Sequence, residues 1–140
     1  MRHEGRARSA LTANRLRNWM LDVANQSRTA LGRPVCIWGA GQGGRRVLAL
    51  FESIGGRVTC FVDSNPRRAG QEIEGVPIVG PRVLAESRAG GAFVIIASTH
   101  AAAIAATLQA TGRVAGADFR VASYDELVEL ENDRERDHQA

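Results

Sequence analysis

The sequence predicts an α/β fold in which helices cover both faces of one doubly wound parallel sheet. Short apolar runs without polar alternation recur along the chain, as in strands buried on both faces. Segments with helical periodicity separate these runs, which is the order of elements in a parallel sheet. The length of 140 residues, with 44% apolar and 24% charged residues, suits one such domain. We expect an N-terminal segment at 1–33, this domain at 34–130 and a charged tail at 131–140.

The N-terminal segment predicts an added amphipathic helix between residues 9 and 31. Gly32 and Pro34 are typical of a helix end, because glycine accepts left-handed backbone and proline cannot continue the helix. We expect this helix to lie against the core with the apolar residues that recur at helical spacing: Leu16, Trp19, Met20 and Val23.

Five strands and four further helices follow in alternation. The strands are predicted at "PVCIW" (34–38), "RVTCFVD" (57–63), "VPIV" (76–79), "AFVIIA" (92–97) and "DFRVA" (118–122). The helices are predicted at 42–54, at 81–87, at 100–112 and from Ser123, which forms a capping box with Glu126. Right-handed crossovers between parallel strands then give the strand order 3-2-1-4-5.

The glycines of "GAGQGG" follow the first strand with the spacing G-x-G-x-x-G. Gly39 permits a tight turn, Gly41 lets the backbone approach a pyrophosphate, and Gly44 lets helix and strand pack closely. The helix that begins near Gln42 offers unpaired N–H groups and a positive dipole end to phosphates. The same spacing fits a turn that serves the fold alone. We favour phosphate binding because a strand precedes the turn, a helix follows it and an acid ends the second strand.

That acid is Asp63, which comes 19 residues after Gly44, close to the ~20 expected for a carboxylate that binds ribose hydroxyls. The segment "DSNP" is equally typical of an Asx turn, in which Asp63 bonds its own backbone. Arg67 and Arg68 follow, and we favour exposure to solvent over phosphate binding for both.

Ser98, Thr99 and His100 lie where the fourth strand meets the next helix, at the same edge of the predicted sheet as Gly39 and Asp63. Their side chains are able to contact a phosphate or a sugar, and capping of the helix explains the two hydroxyls equally well. We assign no catalytic residue, and His100 is the one candidate for an acid or base.

The basic residues exclude several enzyme chemistries, because all 18 are arginine. Schiff-base catalysis, a Walker A loop and the Tyr-x-x-x-Lys pair of short-chain dehydrogenases each require a lysine.

The net charge is +5 over residues 1–33, with seven arginines against two acids, and −5 over residues 123–140, with two arginines against seven acids. With seven aromatic residues in the chain, we expect a solvated or self-paired basic arm and no nucleic-acid partner.

The cysteines and the apolar runs predict whether the chain holds a metal and in which cellular compartment it lies. Cys36 and Cys60 lie in predicted strands without metal-ligand spacing, so we expect buried, reduced thiols and no metal site. The longest apolar runs are too short to span a bilayer, and we expect a cytoplasmic protein without a membrane span.

Several motifs together carry a family resemblance over about residues 34–127. These are I-x-G-A-G-x-x-G at 37–44, D-x-N-P at 63–66, I-x-G-x-P at 73–77 and V-I-I-A-S at 94–98. They resemble the small Rossmann-like domains of bacterial polysaccharide biosynthesis, found at the front of CapD-type nucleotide-sugar dehydratases and epimerases and of PglD-type acetyltransferases. The resemblance implies nucleotide-sugar or dinucleotide binding through six residues: Gly39, Gly41, Gly44, Asp63, Ser98 and Thr99. Such domains usually precede a catalytic domain, and we expect none within these 140 residues.

Three functions remain open at this stage. The first is a non-catalytic nucleotide-binding module in nucleotide-sugar or polysaccharide metabolism that works as a homo-oligomer or with a partner enzyme. The second is an NAD-dependent nucleotide-sugar dehydrogenase or dehydratase fragment, with His100 as acid or base. The third is an interaction protein that senses NAD or coenzyme A. NAD, NADP, coenzyme A and nucleotide-sugars all present phosphates to a glycine turn, so the sequence does not choose among them.

Overall fold

The computed structural model describes residues 2–27, 32–85, 91–123, 125–128 and 132. They form one six-stranded sheet with the order β3-β4-β2-β1-β5-β6. Every neighbouring pair is parallel except β3 and β4, which are antiparallel. The strands are β1 (Val35–Trp38), β2 (Cys60–Val62), β3 (Glu72–Ile73), β4 (Val76–Val79), β5 (Phe93–Ile96) and β6 (Phe119–Val121).

The predicted order of the five parallel strands is confirmed, and β3 is an added edge strand. Glu74 and Gly75, with φ of 50° and 82°, form the two-residue turn that joins β3 to β4. Positive φ at both central residues matches the twist of a tight hairpin. Two residues are too few to show a periodicity, so the sequence predicts a crossover where β3 lies.

The helices are α1 (Arg2–Ser27), α2 (Gln42–Ser53), a 3₁₀ helix (Pro81–Ala85) and α3 (Ala101–Ala110), and residues 125–128 are also helical. The first helix begins seven residues before the predicted start at residue 9. Its predicted end, at residues 28–31, lies outside the described residues. The helix predicted at 81–87 is 3₁₀ over its described part, and residues 86–90 lie outside it.

The sheet separates two apolar layers because alternate residues of each strand point to opposite faces. Val35 and Ile37 of β1 belong to the layer that packs under α1 and α2, and Leu16, Met20 and Val23 of α1 are buried there. Cys36 and Trp38 belong to the layer under α3. Helices therefore cover both faces, as the sequence predicts.

The chain after β6 turns back towards the first layer. The Ser123 hydroxyl accepts a hydrogen bond from the N–H of Glu126 at 3.3 Å and donates one to the Glu126 carboxylate at 2.7 Å. Leu127 is buried. Ser123 therefore caps the last helix as predicted, but the Glu126 carboxylate bonds the Ser123 hydroxyl and not the backbone N–H of a full capping box. The predicted tail at 131–140 lies outside the described residues apart from residue 132. In the part of the chain that is described, no helix is both long and apolar enough to cross a membrane.

Candidate functional site

Two glycines of the turn after β1 are required by the packing of the protein itself. Gly39 has φ of 126° and donates a hydrogen bond from its N–H to the carbonyl of Val62 at 2.9 Å. A side chain at Gly39 would overlap the Ala97 carbonyl, and one at Gly44 would overlap the Gly39 carbonyl. The first and third glycines therefore join β1, β5 and α2 closely, whether or not a ligand is present.

Gly41 differs from Gly39 and Gly44, because a side chain there would overlap no packed backbone atom. It precedes α2 with extended backbone, at φ −88° and ψ −161°, and no side chain caps the helix there. A Cβ atom on Gly41 would meet no atom within 4 Å. The N–H groups of the first helical turn have no helical carbonyl to bond, and the positive end of the helix dipole lies here. The turn thus combines open space with donors suited to an anion.

Asp63 follows β2, and its carboxylate has two partners within the protein. One oxygen accepts the N–H of Asn65 at 2.8 Å, which forms the Asx turn considered in the sequence analysis. The other oxygen lies 3.8 Å from the Arg68 guanidinium, which also donates to the Ala40 carbonyl at 2.9 Å. The Arg68 side chain is 43% exposed, as expected, and it also reaches back onto the glycine turn. Arg67 is exposed, as expected.

Ser98, Thr99 and His100 connect β5 to α3. The half-buried Ser98 hydroxyl accepts the N–H of His100 at 3.1 Å, and Thr99 and His100 are exposed. His100 is the residue before α3, and its side chain makes no capping bond. The Ser98 bond therefore closes a turn directly before α3.

Two cavities open at this carboxyl-terminal edge of the sheet, and Ser98 lines both. The β2-side cavity, of about 310 Å³, lies between the strand ends and α3. The β6-side cavity, of about 380 Å³, is mostly apolar and lies between the start of α2 and the chain after β6. The first is lined by Trp38, Gly39, Asp63, Ser64, Ser98, His100, Ala103, Ile104 and Thr107. The second is lined by Gln42, Gly43, Ala97, Ser98, Thr99, Ala101, Val121, Ala122, Ser123 and Leu127.

Comparison of the sequence with known families gives one match, to the model of the CoA binding domain, over residues 32–116. This match covers more than half of the chain. The chain belongs to the CoA binding domain family. No curated protein sequence matches it.

Solved structures share the fold at low sequence identity. UDP-D-quinovosamine 4-dehydrogenase from Vibrio fischeri is similar with a TM-score of 0.51 and 18% identity, over 73% of this chain and 85% of that chain. RSP, a Rex-family repressor, is similar with a TM-score of 0.52 and 20% identity, over 90% of this chain and 68% of that one. RSP in complex with β-NAD⁺ and operator DNA gives a TM-score of 0.53 at 20% identity, over 90% and 64% of the two chains. These likenesses support the Rossmann-like fold.

The CoA binding domain brings the sequence-predicted residues to one edge. Gly39, Asp63, Ser98 and His100 line the β2-side cavity, while Gln42, Ser98 and Thr99 line the β6-side cavity. Gly41 lies between Gly39, which lines the β2-side cavity, and Gln42, which lines the β6-side cavity. All of them fall within the matched span 32–116, whereas Ser123 and Leu127 of the β6-side cavity lie beyond it.

Sequence reasoning missed several lining residues of the CoA binding domain. Trp38 lines the β2-side cavity as the last residue of β1, so its place directly before the glycine turn was a usable signal. Ala103 and Thr107 reach the same cavity because they lie one helical turn apart on α3. In the described parts of the chain, no cluster of three or more His, Cys, Asp or Glu side chains is placed to hold a metal ion.

Proposed function

We propose that the glycine turn binds the phosphate groups of a nucleotide. The observation that carries this proposal is the contrast between Gly41 and its neighbours. Packing explains the absence of a side chain at Gly39 and Gly44. At Gly41, by contrast, no described residue other than its two chain neighbours has an atom within 4 Å of where a Cβ would be. Open space beside the uncapped first turn of α2 suits the close approach of a pyrophosphate.

The remaining site residues are proposed to position the nucleoside and the rest of the ligand. Asp63 faces the β2-side cavity and offers its carboxylate to ribose hydroxyls, with Arg68 beside it as a partner for a phosphate. Gln42, Ser98 and Thr99 face the β6-side cavity, where their polar groups would orient the part of the ligand beyond the phosphates. Gly39 and Gly44 hold the turn in shape.

The β6-side cavity favours a particular kind of ligand. Ala97, Ala101, Val121 and Leu127 give it an apolar wall, and its polar groups are hydroxyls and one amide. An uncharged group with apolar and amide parts suits such a wall better than a second charged group. Among the ligands considered, the pantetheine arm of coenzyme A and the nicotinamide of NAD have this character. The family match to the CoA binding domain supports the same choice.

For the biological role, we propose a nucleotide-binding module without its own catalysis that serves nucleotide-sugar or polysaccharide metabolism. The resemblance of its motifs to CapD-type and PglD-type domains supports this role, as does the fold shared with UDP-D-quinovosamine 4-dehydrogenase. Such a module would act as a homo-oligomer or with a partner enzyme. A bacterial origin and location in the cytoplasm stay predictions.

Two alternatives have specific support. A sensor of NAD or coenzyme A is favoured by the shared fold of the Rex-family repressor RSP, whose structures include complexes with β-NAD⁺ and β-NADH. An oxidoreductase is favoured by the position of His100 on the wall of the β2-side cavity. If His100 is an acid or base, His100→Ala will abolish turnover and leave nucleotide affinity nearly unchanged.

The proposal is tested by calorimetric titration of the chain with coenzyme A, NAD, NADP, UDP and UDP-N-acetylglucosamine. We expect saturable binding of at least one ligand, and a loss of affinity of about tenfold or more in Gly41→Val, whose side chain would occupy the phosphate position. Binding that Gly41→Val leaves intact contradicts the proposed contact. No binding of any ligand by the parent chain means that the turn serves the fold alone.

A matched control is Gly80→Val. Gly80, like Gly41, has nothing packed within 4 Å of where a Cβ would be, and it follows β4 and lines neither cavity. Both variants should unfold at nearly the same denaturant concentration as the parent chain. Loss of binding in Gly41→Val alone then reports on the ligand contact and not on stability.

A further inference from the structure

Two buried thiols lie side by side beneath the proposed nucleotide site. Cys36 of β1 and Cys60 of β2 are register partners in neighbouring parallel strands. Their Sγ atoms are 3.2 Å apart, and the residues are 1% and 5% exposed. Both are free cysteines in the same apolar layer. The proposed binding of a nucleotide uses neither of them.

The backbone around this pair already has the spacing of a disulfide. Neighbouring strands lie about 4.8 Å apart, and disulfides join residues whose Cα atoms are about 4.4–6.8 Å apart. The two side chains point to the same face of the sheet, so the Cβ vectors do not diverge. Closing the 3.2 Å gap to a bond of about 2.05 Å asks each sulfur to move by roughly half an ångström.

The hydrogen bond between the two thiols shifts their pKa values in opposite directions. The hydrogen bond from the Cys36 thiol lowers the pKa of Cys60, against the opposing effect of burial. The same bond, together with burial, raises the pKa of Cys36. The positive charge of Arg113, a buried residue of the loop after α3, acts on Cys36 in the opposite direction. The lowered pKa makes Cys60 the thiol that ionises more readily, and a Cys60 thiolate would accept the hydrogen bond of the Cys36 thiol.

We propose that Cys36 and Cys60 are a modification site, where a small peroxide converts the thiol pair reversibly into an intramolecular disulfide. The Cys60 thiolate attacks one peroxide oxygen, the O–O bond breaks and hydroxide leaves, which gives a sulfenic acid on Cys60. The Cys36 sulfur then attacks the Cys60 sulfur, and the S–O bond breaks with loss of water. Overall, two thiols and one hydrogen peroxide give one disulfide and two waters.

The disulfide would fix the two strands that carry the glycine turn and Asp63. Cys36 precedes Gly39 by three residues, and Cys60 precedes Asp63 by three residues. The closed loop from 36 to 60 contains the turn and the whole of α2. Cross-linking restricts the unfolded chain more than the folded one, where the sulfurs are already adjacent. Oxidation should therefore raise the melting temperature by several degrees.

The test treats the folded chain with hydrogen peroxide, removes the peroxide, and alkylates remaining thiols after denaturation. Trypsin cleaves at arginine but not before Pro34, so the expected product is peptide 29–45 joined to peptide 58–67, without alkylation. Dithiothreitol should separate the two peptides and restore two alkylated cysteines. The oxidised chain should melt above the reduced chain.

Any of four results would overturn the proposal. Three of them are full alkylation of both cysteines after peroxide treatment, conversion of Cys60 to sulfinic or sulfonic acid with Cys36 still free, and a disulfide between two chains. A disulfide that lowers the melting temperature by several degrees would also overturn it, since the native strands would then not accommodate the bond. Cys60→Ala is the control, and its remaining Cys36 should stay alkylatable. The peptide assay on the parent chain stands even if this variant fails to fold.

Discussion

The two edges of the sheet use arginine in different ways. At the amino-terminal edge, Arg33 donates to the Gly91 carbonyl at 2.6 Å, to the Ala117 carbonyl at 2.8 Å and to the Asp118 carboxylate at 2.7 Å. Its guanidinium also lies 5.6 Å from the centre of the Phe93 ring. At the carboxyl-terminal edge, Arg68 donates to one carbonyl of the glycine turn and lies 3.8 Å from Asp63.

This difference separates a structural cluster from a candidate binding site. All three guanidinium nitrogens of Arg33 bond groups of the chain itself, so that edge is completed by the fold. The other edge keeps the open space beside Gly41 and the uncapped N–H groups of α2. Polar groups that the fold does not satisfy are those that a ligand is able to satisfy.

The largest expected effect is the loss of stability caused by a side chain at Gly44 of the glycine turn. Gly44→Ala should lower the free energy of unfolding by about 3 kcal/mol, because its Cβ would overlap the Gly39 carbonyl, a backbone atom. Urea denaturation measures this change. Gly43→Ala is the matched control on the same helix, since its Cβ would lie 3.5 Å from the Ala97 carbonyl in ordinary contact. Equal stability of the two variants would contradict the structural role given to Gly44.

Most of the fold could be predicted from the sequence because the strands are buried on both faces. Continuous apolar runs such as "AFVIIA" have few other interpretations between turn residues. Strand β3 could not be predicted, since it has two residues and pairs only at the edge. The start of α1 was also missed, because residues 2–8 lack apolar residues at helical spacing.

The site could be predicted in part, for a related physical reason. Glycine spacing and strand ends mark where a turn lies, which located Gly39, Asp63 and Ser98 at one edge. The partner of an arginine depends on how the chain returns to the turn, so no local pattern indicated that Arg68 bonds Ala40. The β6-side cavity depends on residues that are distant in sequence and come close only after the chain folds: Val121, Ala122, Ser123 and Leu127.

A smaller effect is expected from the amino-terminal edge. Arg33→Met keeps the apolar stem but removes three hydrogen bonds, and should lower the free energy of unfolding by about 2 kcal/mol, since the cluster is partly exposed. The exposed Arg67→Met, at the other edge, should change stability by less than about 0.5 kcal/mol. If both variants lost the same stability, the contrast between the two edges would fail. Nucleotide affinity should be unchanged in Arg33→Met.

The smallest expected effect is the pH dependence of the stability that Asp118 contributes at the amino-terminal edge. The N–H of Val114, at 2.7 Å, and the Arg33 guanidinium lower the pKa of Asp118 below its ordinary value. A carboxylate with a lowered pKa in the folded state contributes stability above its unfolded pKa, and that stability is lost as pH falls through the folded value. The stability difference between the parent chain and Asp118→Asn should therefore be constant above about pH 5 and shrink below about pH 4. Urea denaturation at each pH measures it, and a difference that grows in acid would show that Asp118 does not stabilise this edge as a carboxylate.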